Sequence, residues 1–319
     1  MLRDTISPLT LRILAFVFGA LWGSFLNVVI YRVPLGMSVV HPRSRCPKCE
    51  KPIAGWDNIP ILSYVILRGQ TRCCKTKMSP RYPLVELIGG AMAVCVVTHV
   101  SGAYGSDLPD WKYLLLFAVE LALCLGLVAA AFIDMEHMIL PDQITIGGTI
   151  AGLLTAKLRG IGLVDSIASG VGAFVAIWFL FNVVYKWLRG RTGMGMGDAK
   201  LLALAGAWFG WMGLVYVLFA GAIQGSLITM AVRLSGHKVE IPESVKKDLE
   251  ELRHYAEHGT EEEKKEAKEA LENDPLAENR DGFMQAAIPF GPFLILGIFE
   301  FLFFGETISL YIMKFLQPW

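Results

Sequence analysis

The chain consists mainly of long apolar runs separated by short polar stretches, and most runs match the length of a membrane-spanning helix. A helix that crosses the hydrocarbon core needs about 20 apolar residues at roughly 1.5 Å of rise per residue. The pattern therefore predicts an all-α polytopic membrane protein with about eight transmembrane helices. The predicted spans are residues 11–30, 84–100, 113–133, 144–158, 162–184, 199–211, 212–232 and 288–313.

The sixth and seventh predicted spans come from one apolar run that is too long for a single crossing. We divide it within residues 208–213, where glycines weaken a helix and tryptophans favour the membrane interface. The first run is not interpreted as a cleaved signal peptide, because it is about 20 residues long and has no convincing small-residue cleavage site.

Composition supports a membrane protein and excludes several other classes. Hydrophobic residues make up 54% of the 319 residues and charged residues only 18%, against roughly 25% in a typical soluble domain. Six cysteines are too few for a disulfide-rich secreted scaffold. The formal net charge is zero, so a basic nucleic-acid-binding protein is not expected either.

Charge is unevenly distributed along the chain. Residues 236–287 hold 15 acidic and 8 basic residues at helical spacing, which predicts a charged insert of one or two solvated helices. Ten Lys and Arg residues lie between the first two spans, and positive loops stay in the cytoplasm. We divide the chain into a first transmembrane helix (1–31), a cytoplasmic cysteine domain (32–83), a transmembrane catalytic core (84–235), the insert (236–287) and a last transmembrane helix (288–319).

Two acidic residues lie at membrane depth, where a charge is costly. Asp134 closes the third predicted span and Asp198 opens the sixth. Ionisable groups in such positions are functional candidates. Both lie at the inner ends of their helices, so helix packing can bring the two carboxyls together. A close pair of carboxyls shares one proton, with one acting as base toward water and the other as acid toward the scissile bond, as in aspartic proteases.

Glycines precede Asp198 at every second position, at Gly193, Gly195 and Gly197. Without side chains, this segment permits irregular backbone and the close approach of an extended substrate strand. Asp142 is a competing carboxylate, and we interpret it as the N-cap of a helix because it follows Pro141.

Further polar residues within the apolar runs keep a second class of function open. Glu120, Gln224 and Glu300 either make interhelical hydrogen bonds or line the path of a transporter. No internal repeat of the kind found in transporters is visible. A membrane scaffold with structural acids is a third interpretation.

Four cysteines occupy the predicted cytoplasmic loop. Cys46 and Cys49 form a C-x-x-C pair, and Cys73 and Cys74 follow as adjacent residues. A reducing cytoplasm disfavours disulfides, and this pattern suits a tetrahedral Zn²⁺ site, with free thiols as the alternative. Adjacent cysteines need not bind one ion together, and a second C-x-x-C pair would need a cysteine at Thr71.

Together these motifs closely resemble those of the bacterial prepilin peptidases, the type IV leader peptidase and prepilin N-methyltransferase family. The similar segments are residues 23–32, the cysteine loop, 79–86, 133–134, 140–142, 195–202 and 288–293. They occur in order along nearly the whole chain. The resemblance departs from the family at Thr71, where a cysteine is expected, and in the insert, which is longer than usual.

The resemblance implies an intramembrane GxGD-type aspartyl protease with Asp134 and Asp198 as the catalytic pair. The implied substrates are type IV prepilins and type II secretion pseudopilins, whose basic leader is cleaved after glycine at the cytoplasmic face of the bacterial inner membrane. The resemblance also implies N-methylation of the new terminal residue with S-adenosylmethionine as methyl donor, involving the cysteine loop.

Overall fold

The computed structural model describes residues 6–46, 48–104, 108–189, 194–235, 241–273 and 288–316. Within these residues the secondary structure is helical, with two isolated β-bridges and no extended strand. The chain forms two compact units, Met1–Ala130 and Ala131–Trp319.

The first unit is built on two closely packed helices, α1 (Pro8–Arg32) and α2 (Arg81–Ala103). The side chain of Ser7 caps α1 by accepting a hydrogen bond from the Thr10 N–H. Glycines bring the two backbones together, since a Cβ added at Gly23 would lie 2.8 Å from the Cα of Glu86. Small residues at such an interface are the usual means by which membrane helices approach closely.

Between α1 and α2, the described residues form short elements only, a 3₁₀ turn at Gly55–Asn58 and a helical turn at Leu62–Ile66. The third long helix, α3 (Asp110–His137), begins in the first unit and ends in the second.

The second unit is organised around α6 (Met196–Leu234), which packs against three other helices. These are α4 (Asp142–Thr155), α5 (Leu163–Trp178), which continues through a π-helical segment (Phe179–Val184) into Tyr185–Arg189, and α9 (Gly291–Leu316). Serine hydroxyls hold α5 and α6 together: Ser166 donates to the Ala207 carbonyl and Ser169 to the Gly206 carbonyl.

The described residues contain six helices long and apolar enough to span a membrane, rather than the eight predicted. One difference is α4, which has only 14 residues and is too short. The other is α6, whose 39 residues are counted as one helix although they consist of two helical segments joined by a kink, as the predicted division implies. At about 58 Å, α6 is nearly twice the hydrocarbon thickness. Its backbone is interrupted at Gly210 (φ 69°, ψ −167°), inside the segment where we divided it.

The charged insert forms two helices that pack against each other, α7 (Glu243–His258) and α8 (Glu261–Asn273). Thr260 and Glu263 form a capping box at the start of α8. The Thr260 backbone N–H donates to the Glu263 carboxylate, and this hydrogen bond lowers the pKa of Glu263. The insert also contacts α3, because the Ser244 hydroxyl donates to the carbonyl of Glu136.

Candidate functional site

Asp134 lies in the last turn of α3, and its side chain is buried, with 5% exposure. The backbone N–H of Gly291, the first residue of α9, donates to its carboxylate. The second carboxylate oxygen, Oδ2, has no hydrogen-bond partner among the described residues. The carboxyl therefore has one backbone donor close to it and one buried oxygen without a hydrogen-bond partner among these residues.

Asp198 lies in the first turn of α6. The N-cap of this helix is Gly195, and the Asp198 carboxylate accepts a hydrogen bond from the Gly195 backbone N–H. An acidic side chain that reaches back from the third helical position to the N-cap is one half of a capping box. The sequence therefore fixes the position of this carboxyl locally.

The structure brings Asp134 and Asp198 together in the second unit, although 64 residues separate them along the chain. The Asp134 carboxyl is close enough to act electrostatically on Asp198. Two carboxyls at the ends of different helices, one of them with an unsatisfied oxygen, can share a proton and so can take part in acid–base chemistry.

Gly291 also lies next to Asp134; the sequence placed it in the segment 288–293 that resembles the family but did not predict it as a site residue. A Cβ added to Gly291 would lie 2.5 Å from Oδ2 of Asp134, so any larger residue here would require the carboxyl or the start of α9 to move. The signal available in the sequence was its position between Phe290 and Pro292 at the start of the last apolar run. Its proximity to Asp134 comes from tertiary packing alone.

Leu140 packs at the starts of both α6 and α9. A Cβ added at Gly197 would lie 3.0 Å from the Leu140 Cβ, and one at Gly291 would lie 3.1 Å from its Cδ2. Gly197 is thus a helical residue whose missing side chain makes room for Leu140. Gly195 is exposed at the N-cap position, and Gly193 lies outside the described residues.

The prediction that Asp142 is a helix N-cap was wrong. Pro141 occupies the N-cap position of α4 without a side-chain hydrogen bond, and Asp142 is the first helical residue. The Lys200 Nζ donates to Asp142 Oδ1 at 2.6 Å, so the carboxylate forms an ion pair with α6. Asp142 is 57% exposed and already paired, whereas Asp134 is buried and Asp198 is half-buried.

The polar residues within the predicted spans make hydrogen bonds inside each unit. Gln224 on α6 donates to both carboxylate oxygens of Glu300 on α9, at 2.8 and 2.9 Å, and Tyr216 donates to Glu300 at 3.0 Å. In the first unit, the Tyr104 hydroxyl donates to Glu120 at 3.3 Å. These contacts account for Gln224, Glu300 and Glu120 as interhelical or helix–loop hydrogen bonds.

The four loop cysteines converge into one cluster in the first unit, with all four sulfurs within 4.8 Å of one another. The Cys46 and Cys74 sulfurs are 3.4 Å apart, those of Cys49 and Cys73 are 3.3 Å apart, and those of Cys73 and Cys74 are 3.9 Å apart. Four thiolates at about 2.3 Å from a tetrahedral Zn²⁺ would be about 3.8 Å from one another. The donor set and its spacing therefore fit zinc.

Two similar turns supply these sulfurs. In the first, residues 45–52, Cys46 N–H donates to the Lys51 carbonyl, and in the second, residues 70–77, Thr71 N–H donates to the Thr76 carbonyl. Each turn also has a residue with positive φ at the same place, Glu50 and Lys75. Thr71 therefore occupies the position that corresponds to Cys46, and Cys73 provides the fourth sulfur from within the second turn.

Hydroxyl groups stabilise the thiolate form of Cys74. Hydrogen bonds from Thr71 and then from Thr76 lower the pKa of Cys74 to about 5. At Cys49, a backbone N–H at Lys51 favours the thiolate, but the neighbouring Cys73 and desolvation outweigh it and raise the pKa to about 12. Crowded thiols that cannot all ionise without a counter-charge are typical of a site that takes a cation.

Comparison with known proteins assigns both units to one family. Residues 17–100 match the family model described as the Bacterial Peptidase A24 N-terminal domain, and residues 121–230 match the Type IV leader peptidase family. The prepilin leader peptidase/N-methyltransferase of Aeromonas hydrophila is 36% identical over 246 residues, which cover 69% of this chain and 81% of the relative. The protein of the same name from Neisseria gonorrhoeae is 37% identical over 247 residues, covering 70% and 82%. No solved structure matches.

The chain belongs to the type IV leader peptidase family. It is thus a multi-pass membrane peptidase, as the resemblance of its motifs implied. The leader peptidase model covers Asp134, Asp198 and the glycines before Asp198. The N-terminal model covers the cysteine cluster and the packed pair α1 and α2. The two family segments therefore divide the candidate sites in the same way as the structure does, with the aspartates in one and the cysteines in the other.

Proposed function

We propose that this protein is a GxGD-type aspartyl protease that cleaves the basic leader of type IV prepilins or type II secretion pseudopilins after glycine. The observation that supports this most directly is the pair of Asp134, which is buried, and Asp198, which is half-buried, held at the ends of two helices in a member of the leader peptidase family. The curated relatives carry the name prepilin leader peptidase/N-methyltransferase.

In the proposed mechanism, the two carboxyls share one proton. The ionised one removes a proton from water, and the resulting hydroxide attacks the carbonyl carbon of the scissile glycine. The protonated one donates to the carbonyl oxygen as the C=O bond opens. The tetrahedral species then collapses, the C–N bond breaks, and the leaving amine takes up a proton. The N–H groups of Gly291 and Gly195 hold the two carboxyls in place during these steps.

The substrate reaches the pair as an extended strand next to the exposed backbone of Gly195, which has no side chain to obstruct it. We place this reaction at the cytoplasmic face of the bacterial inner membrane, in contact with lipid. The eight basic residues between α1 and α2, together with Arg32 and Arg81 at the adjoining helix ends, support this orientation.

We further propose that the new N-terminal residue is methylated, with S-adenosylmethionine as the methyl donor, as the names of the relatives suggest. This co-substrate supplies an electrophilic methyl group when bound. Cys46, Cys49, Cys73 and Cys74 would hold a structural Zn²⁺ that fixes the loop between α1 and α2.

The test is to co-express the protein with a candidate prepilin and to measure the mass of the prepilin N-terminus. Asp134→Asn and Asp198→Asn are each expected to abolish cleavage while inserting normally, because either change removes an ionisable member of the pair. Asp142→Asn is the matched control, because its exposed ion pair with Lys200 contributes less than about 1 kcal/mol. Loss of cleavage in Asp142→Asn with retention in Asp134→Asn would contradict the assignment.

A further inference from the structure

The first unit has a buried carboxylate at the junction of α1, α2 and the cysteine loop. Glu86, in the second turn of α2, retains only 8% exposure. Its Oε2 accepts a 2.7 Å hydrogen bond from the backbone N–H of Ile61, and the Ser24 hydroxyl is also within hydrogen-bonding range. None of these residues takes part in the proposed cleavage, since the aspartate pair belongs to the second unit.

An unsatisfied acceptor lies in the same helix interface. Asn27 is 3% exposed, and its Nδ2 donates to the Gly23 and Tyr82 carbonyls. Its Oδ1 has no hydrogen-bond partner among the described residues. Tyr82 is one helical turn before Glu86, and Gly23 packs directly on the Glu86 backbone. A buried acceptor without a donor is unfavourable, and it invites a ligand that carries N–H groups.

The backbone at Ile61 adds a third observation. Ile61 has φ 63° and ψ −50°, a conformation that is unfavourable for a β-branched residue. This conformation directs its N–H to Glu86. Strained backbone of this kind persists where the surroundings impose it, often at functional sites.

We infer that Glu86 and Asn27 form the site that receives the N-terminal amine of the cleaved substrate for methyl transfer. An ammonium group offers three N–H donors and a positive charge, which complement a carboxylate and an amide oxygen. This inference rests on the proposed methyl transfer, and it adds the residues that bind the acceptor amine and take up its proton.

One carboxylate, that of Glu86, is enough to carry the proton that the reaction releases. The ammonium transfers a proton to Glu86, which leaves a neutral amine with a free electron pair. The amine nitrogen then attacks the methyl carbon of S-adenosylmethionine, the carbon–sulfur bond breaks, and its electron pair stays on sulfur. The product is a secondary ammonium, and Glu86 releases its proton to water before the next turnover.

The test compares Glu86→Gln with the wild-type protein, both purified in detergent. The glutamine side chain of this variant still accepts a hydrogen bond from Ile61 but does not take up a proton. With a peptide that begins with phenylalanine, methylation measured by mass should fall about 100-fold or more, the lower range for losing a general base. Cleavage of the uncut prepilin should change by less than about threefold. Glu120→Gln, another buried carboxylate of the first unit, is the matched control and should retain both activities.

A binding measurement separates an amine site from a merely structural carboxylate. Wild-type protein should bind the free-amine peptide about tenfold more tightly than its N-acetylated form, as loss of a charge-assisted hydrogen bond implies. Glu86→Gln should bind the two equally. If wild-type protein shows no preference, or if Glu86→Gln methylates at the wild-type rate, the inference is wrong.

The outcomes for this inference and for the proposed function remain distinct. A wild-type protein that cleaves the prepilin but never methylates it rejects the amine site together with methyl transfer, and leaves the peptidase intact. Equal loss of cleavage and methylation in Glu86→Gln shows a structural role and also rejects the inference. If Glu86→Gln does not insert, the comparison of free and acetylated peptides on the wild-type protein decides.

Discussion

The contact between Gly291 and Asp134 gives a sharp test of the peptidase site. In Gly291→Ala, the added Cβ would lie 2.5 Å from Oδ2 and 3.2 Å from Cγ of Asp134. Cβ atoms essentially never approach other heavy atoms within 3.0 Å, and contacts below 3.4 Å are already tight. The carboxyl or the start of α9 must therefore move by about 0.5–0.9 Å, the difference between these distances.

A displacement of this size is enough to impair catalysis. Misplacing a reacting group by about 1 Å costs on the order of 100-fold in rate, or about 2.7 kcal/mol of activation free energy. We expect Gly291→Ala to lose leader cleavage by roughly that factor. Stability should not fall in parallel, because alanine favours a helix over glycine by up to about 1 kcal/mol.

The assay is the cleavage rate of a purified prepilin peptide, measured by mass spectrometry, together with the thermal unfolding midpoint of each variant. Gly147→Ala is the control, because a Cβ at Gly147 on α4 has nothing within 4 Å. It should cleave like wild type. Gly291→Ala that cleaves within about threefold of wild type would refute the steric reasoning. If Gly291→Ala loses activity and its unfolding midpoint also falls clearly below that of wild type, the loss of activity would be explained by misfolding.

Two further predictions concern parts of the second unit outside the aspartate pair. Replacing residues 241–273 with a flexible Gly/Ser linker should leave peptide cleavage within about tenfold, because the insert contributes no catalytic group; complete loss in a well-inserted variant would contradict this. Glu300→Leu should lower the unfolding free energy by about 1–3 kcal/mol, because Gln224 and Tyr216 lose their acceptor. The double change with Gln224→Leu should recover part of that loss, and an unfolding midpoint for Glu300→Leu equal to wild type would show that these hydrogen bonds contribute nothing.

The sequence was most informative where chemistry conflicts with the membrane. An acid at the end of an apolar run is costly, so Asp134 and Asp198 could be recognised without knowing how the helices pack. The sequence did not reveal Gly291, because its role depends on a contact with a residue far away along the chain. A glycine at the start of a helix has many ordinary explanations, and only its Cβ contact identifies this one.

Helix boundaries and counts were less predictable than helix existence. Hydropathy locates apolar runs but does not distinguish one long broken helix from two spans, as α6 and its interruption at Gly210 show. At the start of α4 the helix boundary differs from the prediction by one residue: Pro141 is the N-cap, and Asp142 is the first helical residue and pairs with Lys200. Such details depend on the partners that tertiary structure offers.

The cysteine cluster gives a further prediction: a cysteine at residue 71 can replace Cys73 as the fourth zinc ligand. Thr71 corresponds to Cys46 in the second turn, and its Oγ1 lies 3.4 Å from the Cys74 sulfur and 3.8 Å from the Cys46 sulfur. A sulfur placed there is within the spacing of about 3.8 Å that a tetrahedral zinc site requires. Cys73 should therefore be replaceable by a cysteine at position 71.

Cys73→Ser alone should reduce bound zinc well below one equivalent, because three thiolates remain. Thr71→Cys combined with Cys73→Ser should restore about one equivalent, measured by metal analysis of protein purified under reducing conditions. Thr71→Ser with Cys73→Ser is the matched control and should stay depleted. Failure of the double cysteine exchange, with full zinc in the wild type, would show that Cys73 holds the metal from a position that residue 71 does not reach. Wild-type protein free of metal would leave these cysteines as ordinary thiols, since a closed four-thiolate site retains zinc through purification.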